Sequence, residues 1–233
     1  MWIAQNSNVI DVNKRALTSL FGFVFTIALC VLLPAWTLDY WQAWLLISVL
    51  FVSLLGITLY LIKNDQSLLE RRLDAGPMAE TQKSQKIGQL LGAIALVATF
   101  VVSALDHRFD WSPVPAPVVF VGEALVILGL LIVFLVFREN TFTSATIELA
   151  AEQRVVSSGL YATVRHPMYV GALIMTFGIP LGLGSWWGTA TIIPMTLVIA
   201  RRVRHEEELL TRNLIGYREY RDQVRYRLLP FVW

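Results

Sequence analysis

Residues 16–36 carry no Asp, Glu, Lys or Arg, and neither do residues 41–62. Residues 87–105 repeat the pattern, 118–137 break it only at Glu123, and two shorter charge-free stretches cover 169–183 and 187–199. About 20 apolar residues wound as a helix cross the ~30 Å hydrocarbon layer of a bilayer. An open sheet edge cannot lie there, because its N–H and C=O groups would find no partners. These blocks predict an all-α, polytopic transmembrane bundle of about five to six spanning helices. A soluble domain is excluded: 15% of the 233 residues are charged, where about 25% is usual.

The loops set the expected topology. Residues 37–40 allow only a tight helical hairpin, and Pro113, Pro115 and Pro117 lead into the fourth segment, where proline is tolerated because the first N–H groups of a helix have no partner. The fifth and sixth segments flank a turn rich in Gly and Trp at 182–188; each is short, so the pair either crosses fully or forms a steep hairpin. Lys14 and Arg15 precede a first block too long for a signal-peptide core, which reads as a retained span. Basic residues gather on alternate loops, at Lys63, Arg71, Arg72, Lys83, Lys86, Arg138, Arg154 and Arg165, whereas loops 37–40, 106–117 and 184–188 hold only Arg108. That asymmetry places both termini in the cytoplasm.

Smaller features are expected to be structural. Residues 63–86 read as a short interfacial helix carrying Leu68, Leu69 and Leu73, ended by Gly76-Pro77 and without chemistry. Glu123 is expected to snorkel to the interface. His107 is assigned nothing, and the single cysteine, Cys30, gives neither a disulfide nor metal-ligand spacing. No metal site and no nucleic-acid surface is read. The chain divides into four N-terminal helices, 1–137, and a region 138–233 holding the chemistry.

Two polar clusters bracket the last apolar hairpin. Arg165-His166-Pro167-Met168-Tyr169 opens it, and Arg201-Arg202-Val203-Arg204-His205-Glu206-Glu207-Glu208 closes it. A stretch that enters the bilayer and returns brings both clusters to one side, where they can face a shared ligand. His166 precedes a proline and so should sit at a loop-to-helix junction, whose N–H groups are open to an acceptor. Arg202 and Glu206, four apart, share one helix face, and Glu207 turns roughly 100° away. A surface ion-pair network is the bland alternative, although ionisable groups where a helix leaves the membrane often face a cavity.

Gly159-Leu160-Tyr161, Arg165-His166-Pro167-Met168-Tyr169-Val170-Gly171, Arg202 through Leu210, and a tail with Gly216-Tyr217, Tyr220, Arg225-Tyr226-Arg227 and Pro230 occur in that order. This part of the chain resembles the catalytic half of the isoprenylcysteine carboxyl methyltransferase family, membrane enzymes that use S-adenosylmethionine. The resemblance implies that Gln153, Arg154, Val155 and Val156 line the cofactor, that Tyr161, His166, Pro167, Met168 and Tyr169 complete its pocket, and that Glu206 closes it. It implies a substrate-handling role for Arg202. A carboxylate acceptor needs no base, and Arg202 would orient it in bidentate fashion; an amine or thiol acceptor would make Glu207 or His205 the candidate base. Relatives sharing the pattern methylate phospholipid amines and small thiols, so the acceptor stays open between these. Membrane reductases with a nicotinamide cofactor and a non-enzymatic scaffold are the rival readings. The bilayer and a lipophilic or small acceptor are the expected partners.

Overall fold

The computed structural model describes residues 2–73, 83–143 and 153–233. Among them are α1 (Trp2–Ala35), α2 (Trp41–Asn64), α3 (Gln66–Leu73), α4 (Lys83–Phe109), α5 (Ala116–Glu139), α6 (Pro167–Gly182), α7 (Ile192–Asn213) and α8 (Tyr217–Gln223), with 3-10 turns at Gly159–Ala162 and Trp187–Thr191 and no strand. Four helical stretches are long and apolar enough to cross a membrane: Ile10–Ala35, Trp41–Asn64, Gln85–Phe109 and Ala116–Glu139. Phe21, Phe25, Val52 and Phe120 point outward from them, as a lipid-facing surface requires. The chain is a polytopic helical bundle.

The last two apolar segments differ from four-square spans. With 16 residues, α6 reaches only about 24 Å at 1.5 Å per residue. The sixth segment begins as the 3-10 turn at Trp187–Thr191 and then becomes α7, which does not stop at the apolar boundary but runs on through the whole charge cluster to Asn213. Helical phase puts the apolar residues Met195, Ile199 and Val203 on one buried stripe, which continues past the first arginines and keeps the helix docked.

Backbone contact between α5 and α6 fixes the centre of the bundle. A Cβ added at Gly129 would lie 2.5 Å from the carbonyl oxygen of Gly171, and one at Gly178 would lie 2.6 Å from that of Gly122. Gly122 and Gly129 are seven apart, as are Gly171 and Gly178, so two turns of each helix present matched gaps. Small residues that let backbones approach are a main source of helix association in lipid, where burial of apolar surface drives little. A short helix is thereby held firmly by a long one.

Glu123, expected at the interface, is instead 4% exposed and neither of its oxygens has a hydrogen-bond partner among the described residues. A Cβ at Gly182 would come within 2.8 Å of its Oε1. The missing side chain there gives the carboxyl a recess against α6, so it has no route to snorkel. The amphipathic helix α3 forms as expected, with Leu68 and Leu69 buried; Gly76-Pro77 lies outside the described residues. The α1–α2 hairpin also forms over residues 36–40.

At the end of the bundle holding that hairpin, Asp106 is 1% exposed. It accepts hydrogen bonds from Ser112 N–H at 2.8 Å, and from the hydroxyls of Ser112 and Ser185, each at 2.5 Å. Tyr40 donates to the Leu183 carbonyl at 2.6 Å and stacks on His107 with ring centroids 3.7 Å apart. This knot joins the ends of α2, α4 and α6 with the loop that leads into α5.

Candidate functional site

The opposite end is built around the junction before α6. Gly159 has φ +53, a left-handed conformation that favours glycine, and a Cβ there would press on the Glu139 carboxylate. Ser158 Oγ donates to Glu139 Oε1 at 2.7 Å, tying this turn to the end of α5. Asn140 Nδ2 donates to the Tyr161 hydroxyl at 3.0 Å, and Tyr220 OH donates to the Tyr161 carbonyl at 2.8 Å. The Gly-Leu-Tyr segment is thus pinned from α5 and from α8.

The tail then crosses the junction. Arg165 N–H donates to the Tyr226 carbonyl at 2.9 Å and His166 N–H to that of Arg227 at 3.0 Å. The expectation that these backbone donors serve a ligand is corrected: the tail takes both. Arg165 Nε donates to Glu207 Oε1 at 2.6 Å, Arg227 Nε to Glu207 Oε2 at 2.7 Å, and Arg165 Nη1 to the Val224 and Arg225 carbonyls. Burial alone would raise the Glu207 carboxyl, but the partnerships with His166, Arg165 and Arg227 prevail and hold it down at about 2. Glu207 is a clasp between α6, α7 and the tail.

Its neighbour Glu206 faces the other way. Glu206 Oε2 accepts from the Tyr169 hydroxyl at 2.8 Å, and that hydroxyl accepts from Arg202 Nε at 2.9 Å. His166 Nδ1 stands 4.0 Å from Glu206 Oε2, while its Nε2 lies 3.4 Å from Glu207 Oε1 with no hydrogen bond formed. The two clusters that the sequence separates by about thirty-five residues therefore meet within one side chain's reach.

Around Glu206 opens a cleft of about 850 Å³, counting the solvent at its mouth. The centre of a water-sized body can move through only about 90 Å³ of it, so it is a slot with close walls. Residues 153–156 line one wall without helical structure. Two buried polar atoms among the lining residues, the Tyr217 hydroxyl and His166 Nε2, have no hydrogen-bond partner. Burial first, and the charges of Glu207 and Glu206 next, push the Tyr217 phenol far above its ordinary value, which keeps it a donor. His166 Nε2 faces Glu207, so the Tyr217 hydroxyl is the donor left over, and a slot with an orphaned hydroxyl and a carboxylate suits a polar ligand carrying a cationic group.

A second, larger cavity, about 1580 Å³ on the same count and about 600 Å³ for the centre of a water-sized body, lies among α1, α2, α3, α5 and α6 with Gln89 of α4 and Arg202 of α7, and half of its lining is Leu, Ile, Val and Phe. It shares Met168, Tyr169 and Arg202 with the cleft. At the shared wall stands Arg72 of α3, its guanidinium 5.0 Å from the centre of the Phe137 ring and its Nη1 3.9 Å from Met168 Sδ. Burial depresses its pKa most; Tyr169 opposes this, and the like charge of Arg202 adds to it. Two guanidiniums therefore face the place where an apolar chamber meets a polar slot.

The structure brings together at the cleft Gln153, Arg154, Val155, Val156, Tyr161, His166, Met168, Tyr169, Arg202 and Glu206. Pro167 is not among the lining residues; it starts α6 at a position that needs no N–H. Glu207 is not brought there either, because Arg165 and Arg227 hold it on the far side of α7. His205 Nδ1 lies 2.8 Å from the Arg201 carbonyl, and His205 also stays outside the lining. Sequence reasoning missed Asn140, Leu209, Leu210, Tyr217 and Tyr220 as wall residues. Leu209 and Leu210 were signalled by spacing, since they follow Arg202 and Glu206 at helical intervals. Arg72, in a helix read as lacking chemistry, carried no signal of its own.

The fold and site thus define a multi-pass membrane bundle with a ligand-sized polar slot beside an apolar chamber. Residues 117–217, which hold α5, α6, α7 and most of the slot, match the family described as phospholipid methyltransferase. A Delta(14)-sterol reductase from Mus musculus is 33% identical over 91 residues, or 38% of this chain. The chain spans about a fifth of that relative's length, the match covering 22% of it.

Proposed function

We propose that the protein is an integral membrane methyltransferase that uses S-adenosylmethionine and acts on an amphiphile reached from the bilayer. The observation that carries the reading is the single slot in which Tyr169 joins Glu206 to Arg202, inside a segment similar to phospholipid methyltransferases. In this reading residues 1–137 form the membrane scaffold and 138–233 the catalytic region, and the slot opens to the cytoplasm with both termini.

When bound, S-adenosylmethionine supplies an activated methyl group on a sulfonium. Glu206 would hold its ammonium or ribose hydroxyls, Tyr217 has an orphaned hydroxyl to bond another of its polar groups, and His166 would flank it. Gln153, Arg154, Val155 and Val156 would flank it along the non-helical wall, with Tyr161, Met168 and Tyr169 completing the pocket. Tyr169 and Met168 form the partition to the apolar chamber, so they set the line along which acceptor and donor meet. Alignment of that kind is worth up to roughly 7–11 kcal/mol in a displacement reaction. Arg202, with Arg72 beside it, would orient an anionic group of the acceptor.

Neither candidate base named from the sequence is among the described residues that line the slot. Glu207 is both turned away and held at about 2, and His205 is outside the lining. Glu206 and His166 are the ionisable groups left there, and with Arg202 and Arg72 at the apolar boundary the reading taken first is a carboxylate on a lipophilic body, which needs no base. A phospholipid amine is the next reading, because its phosphate could occupy the same pair of arginines. The likeness to the sterol reductase favours a third, in which the slot takes a nicotinamide cofactor.

Thermal unfolding of the detergent-purified protein separates these readings. S-adenosylhomocysteine at 100 times its Kd should stabilise by about 2.7 kcal/mol, and NADPH should not. Stabilisation by NADPH alone, or by neither, would sink the methyltransferase reading.

A further inference from the structure

We infer that the face of α7 turned away from the slot, together with α8 and the tail, is a binding site for the phosphate of an anionic lipid headgroup. At about 100° per residue, Arg202, Glu206, Leu209 and Leu210 fall on one side of α7 and line the slot. Arg204, Glu208, Thr211 and Arg212 fall on roughly the opposite side and line a separate groove of about 460 Å³. Arg218 and Arg221 add the face of α8, and Arg227 adds the tail.

Five guanidiniums in the groove meet two carboxylates, and one of these, Glu207, is already bonded to Arg165 and Arg227. The balance is strongly positive. Thr211 Oγ1 is buried and has no hydrogen-bond partner, which is unusual for a hydroxyl and gives an anion a neutral donor beside the charges. Arg204 and Arg227 both lie over the Trp233 ring, at 5.8 and 5.1 Å from its centre, so two of the cations are held ready by stacking.

The surroundings favour a lipid over a free ion. The apolar part of α7 ends at Arg201, which puts Arg204 about 5 Å and Arg212 about 17 Å farther along an upright helix. A headgroup layer roughly 5–8 Å thick and a Debye length of about 8 Å beyond it cover that span. Next to Trp233, Phe231 and Val232 are 89% and 77% exposed, and Ile215, between α7 and α8, is 96% exposed. Aromatic and aliphatic residues left bare beside arginines suit the boundary between headgroups and water.

The test uses the full chain in a neutral detergent, titrated with phosphatidylglycerol, phosphatidylcholine, inorganic phosphate or polyglutamate, with bound adducts counted by native mass spectrometry. Phosphatidylglycerol should bind well above phosphatidylcholine. At about fivefold per arginine near an anionic headgroup, the double variant Arg212→Gln, Arg218→Gln should weaken phosphatidylglycerol about 25-fold and leave phosphatidylcholine unchanged. Thr211→Val, which alters no charge, should weaken it about threefold and supplies the result if the double variant does not fold. Undiminished phosphatidylglycerol binding in these variants overturns the site. Displacement of the lipid by inorganic phosphate or by polyglutamate at equal charge would reassign it to a free anion or to an acidic protein, and so overturn the lipid proposal too.

Discussion

Each end of the bundle buries a carboxylate, and the two are satisfied by different chemistry. Asp106 is surrounded by hydroxyls and backbone N–H groups from Ser112, Ser185 and Trp187. Glu207 is surrounded by Arg165, Arg227 and His166. Neutral donors close the first knot locally, linking loops near the chain turns. Cations let the second do more, because an arginine has donors to spare: Arg165 uses Nε on Glu207 and Nη1 on two tail carbonyls. One end is a fastening; at the other, Arg165 and His166 also line the slot. Burying an acid among cations concentrates the stability at the functional end in a few strongly coupled groups.

The largest effect should come from Glu207→Gln. Removing one member of a buried ion pair leaves the other uncompensated, at about 3–5 kcal/mol, and Arg165 here is 6% exposed. Thermal or denaturant unfolding should report it, and a loss under about 1 kcal/mol would mean that the clasp contributes no more than a surface pair.

Acid should dismantle the same clasp. The Glu207 carboxyl sits at about 2 in the fold against an ordinary 4.5, so its stabilising contribution is complete above pH 4.5 and is lost as pH falls through 2. The difference amounts to about 3 kcal/mol. Unfolding midpoints measured from pH 6 down to 2 should fall along this limb in the wild type and run flatter in Glu207→Gln. Parallel profiles would assign the acid sensitivity elsewhere.

Asp106→Asn should cost less, about 1–3 kcal/mol for donors left without their acceptor, and should leave the Kd for S-adenosylhomocysteine unchanged. A change in that Kd beyond about threefold, or about 0.65 kcal/mol, would show that the two ends are coupled. The smallest stability effect is expected from Tyr217→Phe, whose hydroxyl has no partner in the ligand-free fold. Its cofactor Kd should nevertheless rise about fivefold, the worth of one hydrogen bond; an unaltered Kd would remove Tyr217 from the site.

What could be read from the residues alone follows from the physics that governs each part. Charge-free blocks reveal spanning helices because hydrocarbon tolerates little else, and α1, α2, α4 and α5 appear where those blocks lie. The facing of His166 and Glu206 was legible from the length of the hairpin between them. The helical run through Arg202 and Glu206 was legible too, but not the role of Glu207, whose partners Arg165 and Arg227 lie far from it in sequence. The same holds for the Arg165 and His166 N–H groups: nothing near position 166 announces that Tyr226 and Arg227 will claim them. Glu123 misled for a local reason, since the recess that holds it is an absent side chain at Gly182.

The pairing of residues 165 and 166 with 226 and 227 has a consequence for how the protein is made. At roughly 5–20 residues per second, a ribosome needs about 3–12 seconds after delivering Arg165 to deliver Tyr226. All the long apolar helices can be handed to the bilayer in that time while the slot still lacks its back wall. Insertion and completion of the slot are therefore successive events, and a nascent chain stopped short of Tyr226 would be membrane-integrated with Arg165 and His166 still lacking their backbone partners.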